Sequence, residues 1–168
     1  MELWDGYNRD GSLAGVTLVR GEPLPGGVYH MGVEILVRHR DGSYLLMQRD
    51  LRKPSHPGMF ETSMGGCVQK GEDPLTAAHR ELLEETGLDE NAFTQIVYTV
   101  TDRNQTLIYG YLVETDKPKD SITLQEGETI SYKWLSEADF VRHINSPDAI
   151  PTQTSRFSPW FRKLGFIK

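Results

Sequence analysis

Apolar residues in this chain gather mostly into short runs rich in β-branched and aromatic side chains, closed by Gly, Pro, Asn or Asp, a pattern of strands joined by tight turns. Residues 16–19 form the first run, and the Asp5-Gly6 and Asp10-Gly11 turn signals predict a short N-terminal hairpin extension within residues 1–28. Residues 29–39 are rich in apolar side chains and carry no helix cap, so they read as a central strand. Asp41-Gly42 then predicts a two-residue hairpin turn, with residues 43–49 returning as the partner strand. Residues 61–64, 93–100, 106–113 and 130–135 supply further strands, with residues 101–105 connecting the middle pair.

Helical signals are fewer. Ser136 with Asp139 resembles a capping box and opens a helix carrying Phe140, Val141 and Ile144. Residues 157–165 read as a last short helix, with Ser158 as cap, Pro159 in the first turn and Trp160, Phe161 and Leu164 inward. The third helical stretch lies between Gly66 and Leu88, which also holds five acidic side chains. Asp73 can cap the helix, Pro74 suits its first position, where no backbone donor is needed, and Gly87 suits the left-handed residue that ends it.

On that helix Glu81, Glu84 and Glu85 share one face, spaced i, i+3 and i+4. Like charges at that spacing repel by a few tenths of a kcal/mol per pair, roughly. Arg80 can reach Glu84 one turn on, which leaves Glu81 and Glu85 without a basic partner nearby in sequence. A hard divalent cation would relieve the repulsion, since Mg²⁺ takes carboxylate oxygens, retained waters and substrate phosphate. Taken alone, E-x-x-E-E is read equally as a solvated acidic surface.

The longer pattern changes that reading. Gly66, five residues, Glu72, seven residues and then Arg80-Glu81-Leu82-Leu83-Glu84-Glu85-Thr86-Gly87-Leu88 resembles the Nudix box at every defined position. The resemblance implies an α/β fold, a Nudix-type α/β/α sandwich on a mixed sheet, as a single domain over residues 1–168. It implies Mg²⁺-dependent hydrolysis of a phosphoanhydride in a nucleoside diphosphate linked to another moiety, with Mn²⁺ as a substitute. Glu84 and Glu85 are the implied metal ligands, Glu81 a ligand or general base, Arg80 the strut that orients the glutamates, and the Gly66 carbonyl a further ligand. Resemblance also places the loop before the box beside the substrate, which turns Arg49 and Lys53 toward phosphate. It suggests that a glutamate beyond the box, Glu126 or Glu128, adds a ligand or base, with Glu126 the first choice as base.

Two rival functions follow from the same resemblance. The N-terminal half resembles the branch containing isopentenyl-diphosphate isomerases, but Gly65 stands at their catalytic cysteine and Cys67 at a metal-binding histidine. A non-catalytic ligand-binding module is the other rival, against which the intact box argues.

Composition narrows the partners. Against 18 basic residues stand 24 acidic ones, a net charge of −6, so no electropositive footprint for a nucleic-acid duplex is expected and a small phosphorylated substrate fits better. A homodimer is compatible with the sequence. The single cysteine, Cys67, excludes an intrachain disulfide and reads as a small buried hydrophobe. No apolar stretch suits a bilayer and the first residues lack a signal-peptide pattern, so the expected compartment is the cytoplasm. The five histidines have no paired ligand spacing, and the three tryptophans read as core or rim anchors.

Overall fold

The computed structural model covers residues 1–168. Its strands are β1 (Leu3–Tyr7), β2 (Leu13–Val19), β3 (His30–His39), β4 (Tyr44–Arg49), β5 (Phe60–Glu61), β6 (Phe93–Thr101), β7 (Thr106–Thr115) and β8 (Thr129–Leu135). The helices are α1 (Pro74–Thr86), α2 (Glu137–Ile144) and α3 (Pro151–Lys163). None is long and apolar enough to cross a membrane.

The main sheet is mixed. β3 and β7 run parallel from His30↔Thr106 to His39↔Thr115, and β6 joins β7 antiparallel. β3 lies inside the sheet with helices on both faces; one side of its pleat is wholly apolar and the other carries Leu36 beside Gly32 and Glu34. Met31, Val33, Ile35 and Val37 point toward Ala77, Ala78 and Leu82 of α1. Leu36, with Tyr44 and Leu46 of β4, points toward Phe140 of α2 and Phe157 and Phe161 of α3. These two apolar layers make the α/β/α sandwich.

Between β3 and β4 the sheet splits. The two strands pair only at Arg38↔Tyr44, after which β4 takes β8 on one edge and β5 on the other. The edge that β3 would otherwise leave bare is filled by the chain running from β5 toward α1. Ile35 N donates to Met64 O at 2.7 Å, Val33 N to Gly66 O at 2.9 Å, and Val68 N to Met31 O at 2.9 Å. Backbone amides must find partners when buried, so this ladder holds residues 64–68 in the split. A crevice where neighbouring strands diverge is a common position for a ligand site in α/β sheets.

Most expected elements are present, with four differences. The strand expected over residues 61–64 is Phe60–Glu61, and beyond it the chain meets β3 through an isolated bridge at Ile35↔Met64, because it leaves β4 to fill the split. Asp5-Gly6 lies within β1 at a register shift, and the hairpin turns instead over Asn8–Ser12, with Asn8 N bonded to Ser12 O and Gly11 at φ +88°. Asp41-Gly42 belongs to a longer connection, closed by Gly42 N to His39 O and His39 N to Ser43 O, with Gly42 at φ +90°. The last helix starts at Pro151, seven residues before Ser158, and contains Pro159. Proline is tolerated there because both it and Ser155, whose carbonyl loses its helical donor, face solvent. Phe157 and Phe161 carry the burial, whereas Leu164 is exposed.

Gly65 is the tightest backbone position in the split. A Cβ built there would lie 2.1 Å from the Val33 carbonyl oxygen, at φ +151°. Gly26, at negative φ, would meet nothing within 4 Å. Gly65→Ala is therefore expected to lose more than about 2 kcal/mol of stability in urea unfolding, and Gly26→Ala to change it by about 0.5 kcal/mol or less. Equal effects of the two substitutions would contradict the close packing of residues 64–68 on β3.

Candidate active site

The box helix begins and ends as its sequence dictates. Asp73 Oδ1 accepts from Leu75 N at 2.9 Å and Thr76 N at 3.1 Å, and Gly87 at φ +72° donates its N–H to Leu83 O. Burial of Ala77, Ala78 and Leu82 against the sheet fixes the rotation of α1. Glu81 and Glu85, beside that apolar stripe, are thereby turned toward the split.

Arg80 ties the loop and helix together. Its Nε and Nη2 donate to the two oxygens of Glu72, each at 3.0 Å, and Nη2 also donates to the Cys67 carbonyl at 3.1 Å. Nη1 reaches Glu81 Oε1 at 2.7 Å and Glu84 Oε2 only at 3.4 Å. This corrects the pairing expected from helix spacing. Glu81 does have a basic partner, its own neighbour, because the bidentate grip on Glu72 pulls the guanidinium back toward the loop. Burial pushes the Glu81 carboxyl upward in pKa, and Arg80 opposes that shift. The backbone of Gly66 lies against the same carboxylate, where a Cβ would come within 2.4 Å of Glu81 Oε1.

Glu85 is in a different position. It is 7% exposed and forms no ion pair with Arg, Lys or His, the clasps nearby being Arg49–Glu61, Arg80–Glu72, Arg80–Glu81 and Arg156–Glu34. Burial first, and then the charges of Glu61, Glu81 and Glu128, hold its carboxyl well above the ordinary carboxylate range, with a hydrogen bond from the Gly65 backbone acting against them.

Glu85 lines a cavity of about 440 Å³ together with Glu34, Glu61 and Glu128. Four cations, Arg20, Arg49, Lys53 and Arg156, share its wall. Each holds a carboxylate: Arg20 pairs with Glu2 at 2.6 Å, Arg49 with Glu61, Lys53 with Glu128 and Arg156 with Glu34. Arg49 and Lys53, expected to face phosphate, thus line the cavity beside Glu85 with their charges held by carboxylates. Glu84 is half exposed outside the wall, and Glu128 lines the cavity where Glu126 does not. The two glutamates flank Gly127, at φ +82° in the turn before β8, and only Glu128, next to the strand, is carried into the wall.

Glu34, Glu61, Arg20 and Arg156 were not singled out from sequence. Glu34 had a signal, an acidic residue inside the apolar run of the central strand. Arg20 and Arg156 had none, since tertiary packing alone brings the hairpin and α3 to the cleft.

The donor set fits a hard cation. Glu85 is a buried carboxylate among like charges with no basic partner, whereas the Gly66 carbonyl, expected as a further ligand, already accepts from Val33 N at 2.9 Å in the β3 ladder. No three acidic, histidine or cysteine side chains are yet gathered closely enough to hold an ion, because Arg80 occupies Glu81 and Glu84 faces outward. Cys67 is a poor candidate for either ligand or nucleophile. Burial pushes its thiol up to about 11, and its Sγ lies 3.8 Å from His30 Nδ1.

Comparison with known proteins agrees with this geometry. The family model described as the NUDIX domain matches residues 28–161. An uncharacterised Nudix hydrolase of Listeria monocytogenes is 27% identical over 152 residues, which cover 90% of this chain and 89% of that protein. Isopentenyl-diphosphate delta-isomerase of Shigella dysenteriae is also 27% identical, over 142 residues covering 78% of this chain and 71% of its own. A crystal structure from Deinococcus radiodurans superposes with a TM-score of 0.68 at 20% identity, over 87% of this chain and 90% of that one. With the box folded as loop, helix and loop in a split mixed sheet, and the family model spanning most of its length, this chain belongs to the Nudix hydrolase family.

Proposed function

We propose that this protein is a Mg²⁺-dependent pyrophosphohydrolase that cleaves a phosphoanhydride in a nucleoside diphosphate linked to another moiety, acting in the cytoplasm. The observation that carries the reading is Glu85, a buried carboxylate without a cationic partner at a cavity wall that also bears four basic side chains. Carboxylates for a metal and cations for phosphate are what such a substrate requires.

Glu85 and Glu84, the latter turning inward, would hold the cation, with Glu81 as a further ligand or as the base; the Gly66 carbonyl, which accepts from Val33 N, would have only its second lone pair to offer. When bound, Mg²⁺ or Mn²⁺ would neutralise charge on the phosphoryl oxygens and acidify water. Arg49 and Lys53 would orient the phosphates, exchanging their carboxylate partners for phosphate oxygens. Water oxygen forms a bond to phosphorus as the bridging P–O bond breaks, and its proton passes to a carboxylate. Where Glu81 leaves the cation to Glu84 and Glu85 it would take that proton, burial having raised its pKa, and Glu128 across the cavity is the alternative base. Arg80 would act through geometry, by fixing Glu81 and the loop carbonyl of Cys67.

The isomerase reading has similarity in its favour and the local structure against it. Gly65 has no room for any side chain, so no thiol can stand at the position where the isomerases carry their cysteine. Cys67 retains its proton at neutral pH and cannot supply a thiolate.

Two results are expected in an assay of diphosphate-containing nucleotides with Mg²⁺. Glu85→Gln should lower kcat by about 10²-fold or more while the variant remains folded. Cys67→Ala should keep most of the hydrolysis and show no proton exchange into isopentenyl diphosphate in heavy water. Parental kcat in folded Glu85→Gln would remove the metal-site assignment, and deuterium incorporation that depends on Cys67 would favour the isomerase.

A further inference from the structure

The cavity that Glu85 lines has a neighbour. A second cavity, of about 340 Å³ and walled by His30, Gly32, Asn104, Thr106 and Ile108, shares Glu34, Gly65 and Arg156 with the first. The Arg156–Glu34 pair thus stands where the two spaces meet, beside Gly65.

Arg156 is held at its root by α3, and its side chain, though paired with Glu34, stays partly exposed. One turn earlier on α3, the Gln153 side chain accepts from Thr62 N at 2.9 Å and donates to Ser63 O at 3.1 Å, which pins the helix to the segment leading into Gly65. Phe157, the next residue, is wholly buried. The Arg156 side chain nevertheless remains 28% exposed, while that of Glu34 is 11% exposed. A guanidinium has a planar fork that matches carboxylate and phosphate equally well, so one can replace the other without leaving the cation unpaired.

Building on the pyrophosphohydrolase reading, we infer that Arg156 is a phosphate-binding residue of the cleft, exchanging Glu34 for the incoming diphosphate where the substrate passes from the acidic cavity into the second one. The moiety beyond that phosphate then occupies the second cavity. His30 and Thr106 are bonded to one another there at 2.9 Å, Asn104 is exposed, and Ile108 supplies an apolar wall. Those groups suit a compact polar moiety that offers hydrogen bonds along one side.

The competing role for Arg156 is structural, a clasp holding α3 to β3 through Glu34. The two roles predict opposite behaviour when Glu34 is neutralised. A phosphate ligand would be released by Glu34→Gln and bind at least as well, whereas a clasp would be lost with either partner.

The test is calorimetric binding of methylenediphosphonate, whose P–C–P bridge resists hydrolysis, in the presence of Mg²⁺. Arg156→Gln should weaken binding about tenfold or more, and Arg156→Lys, which keeps the charge but loses the fork, should fall between it and wild type. Glu34→Gln should bind as tightly as wild type or more tightly, and Lys163→Gln, farther along the same helix, should be unaffected. Folded Arg156→Gln with wild-type affinity, or Glu34→Gln weakened as much as Arg156→Gln, would overturn the inference alone. If the wild-type protein bound no diphosphonate with Mg²⁺, both the inference and the reading beneath it would fall.

Discussion

Burying carboxylates around one cleft is the constraint on which the rest of this structure depends. Glu34, Glu61 and Glu85 are each less than a tenth exposed, and the Glu81 side chain is 13% exposed. An ionised group withdrawn from water costs several kcal/mol, roughly, unless it is paired and hydrogen-bonded. Arg156, Arg49 and Arg80 supply that pairing for Glu34, Glu61 and Glu81. Glu85 receives no such partner, so the fold carries one unfavourable buried acid that a bound cation would relieve.

The fold serves this arrangement through the divergence of β3 from β4. If the two strands had stayed paired, the box would have had no split to enter and no backbone ladder to hold it. Glycine is required twice here, at Gly65 by the Val33 carbonyl and at Gly66 by the Glu81 carboxylate. The N-terminal hairpin reinforces the same region from outside the matched family domain. Its Leu3 carbonyl accepts from Lys70 N, its Asp5 carboxylate accepts from Gly71 N, and its Arg20 lines the cavity.

How much was legible in sequence depended on whether the determining interaction was local. The α1 caps, the central strand and the Ser136 cap were readable because Asp73, Gly87 and Ser136 act on backbone groups a few residues away. The start of α3 was missed because Pro159 outweighed Pro151 as a signal, whereas burial of Phe157 and Phe161 decides that helix. At the site, Glu81, Glu85, Gly66, Arg49 and Lys53 were expected from the resemblance of the box and its preceding loop, and Glu85, Arg49 and Lys53 share one cavity wall. The partners of those residues were hidden by distance along the chain. Glu34 meets Arg156 across 122 residues and Lys53 meets Glu128 across 75, separations that no spacing rule reaches.

The central claim, that Glu85 is a buried acid awaiting a cation, is tested most directly by thermal unfolding of the wild type and Glu85→Gln, in EDTA and in Mg²⁺, across pH. Because the folded carboxyl holds its proton to a higher pH than the unfolded chain does, wild-type stability in EDTA should fall as pH rises above the unfolded value, about 4.5. Near neutral pH in EDTA, Glu85→Gln should therefore be the more stable protein. Mg²⁺ should raise the wild-type Tm and leave that of Glu85→Gln nearly unchanged, narrowing or reversing the order. A wild-type Tm indifferent to Mg²⁺, or shifted equally in both proteins, would contradict the account.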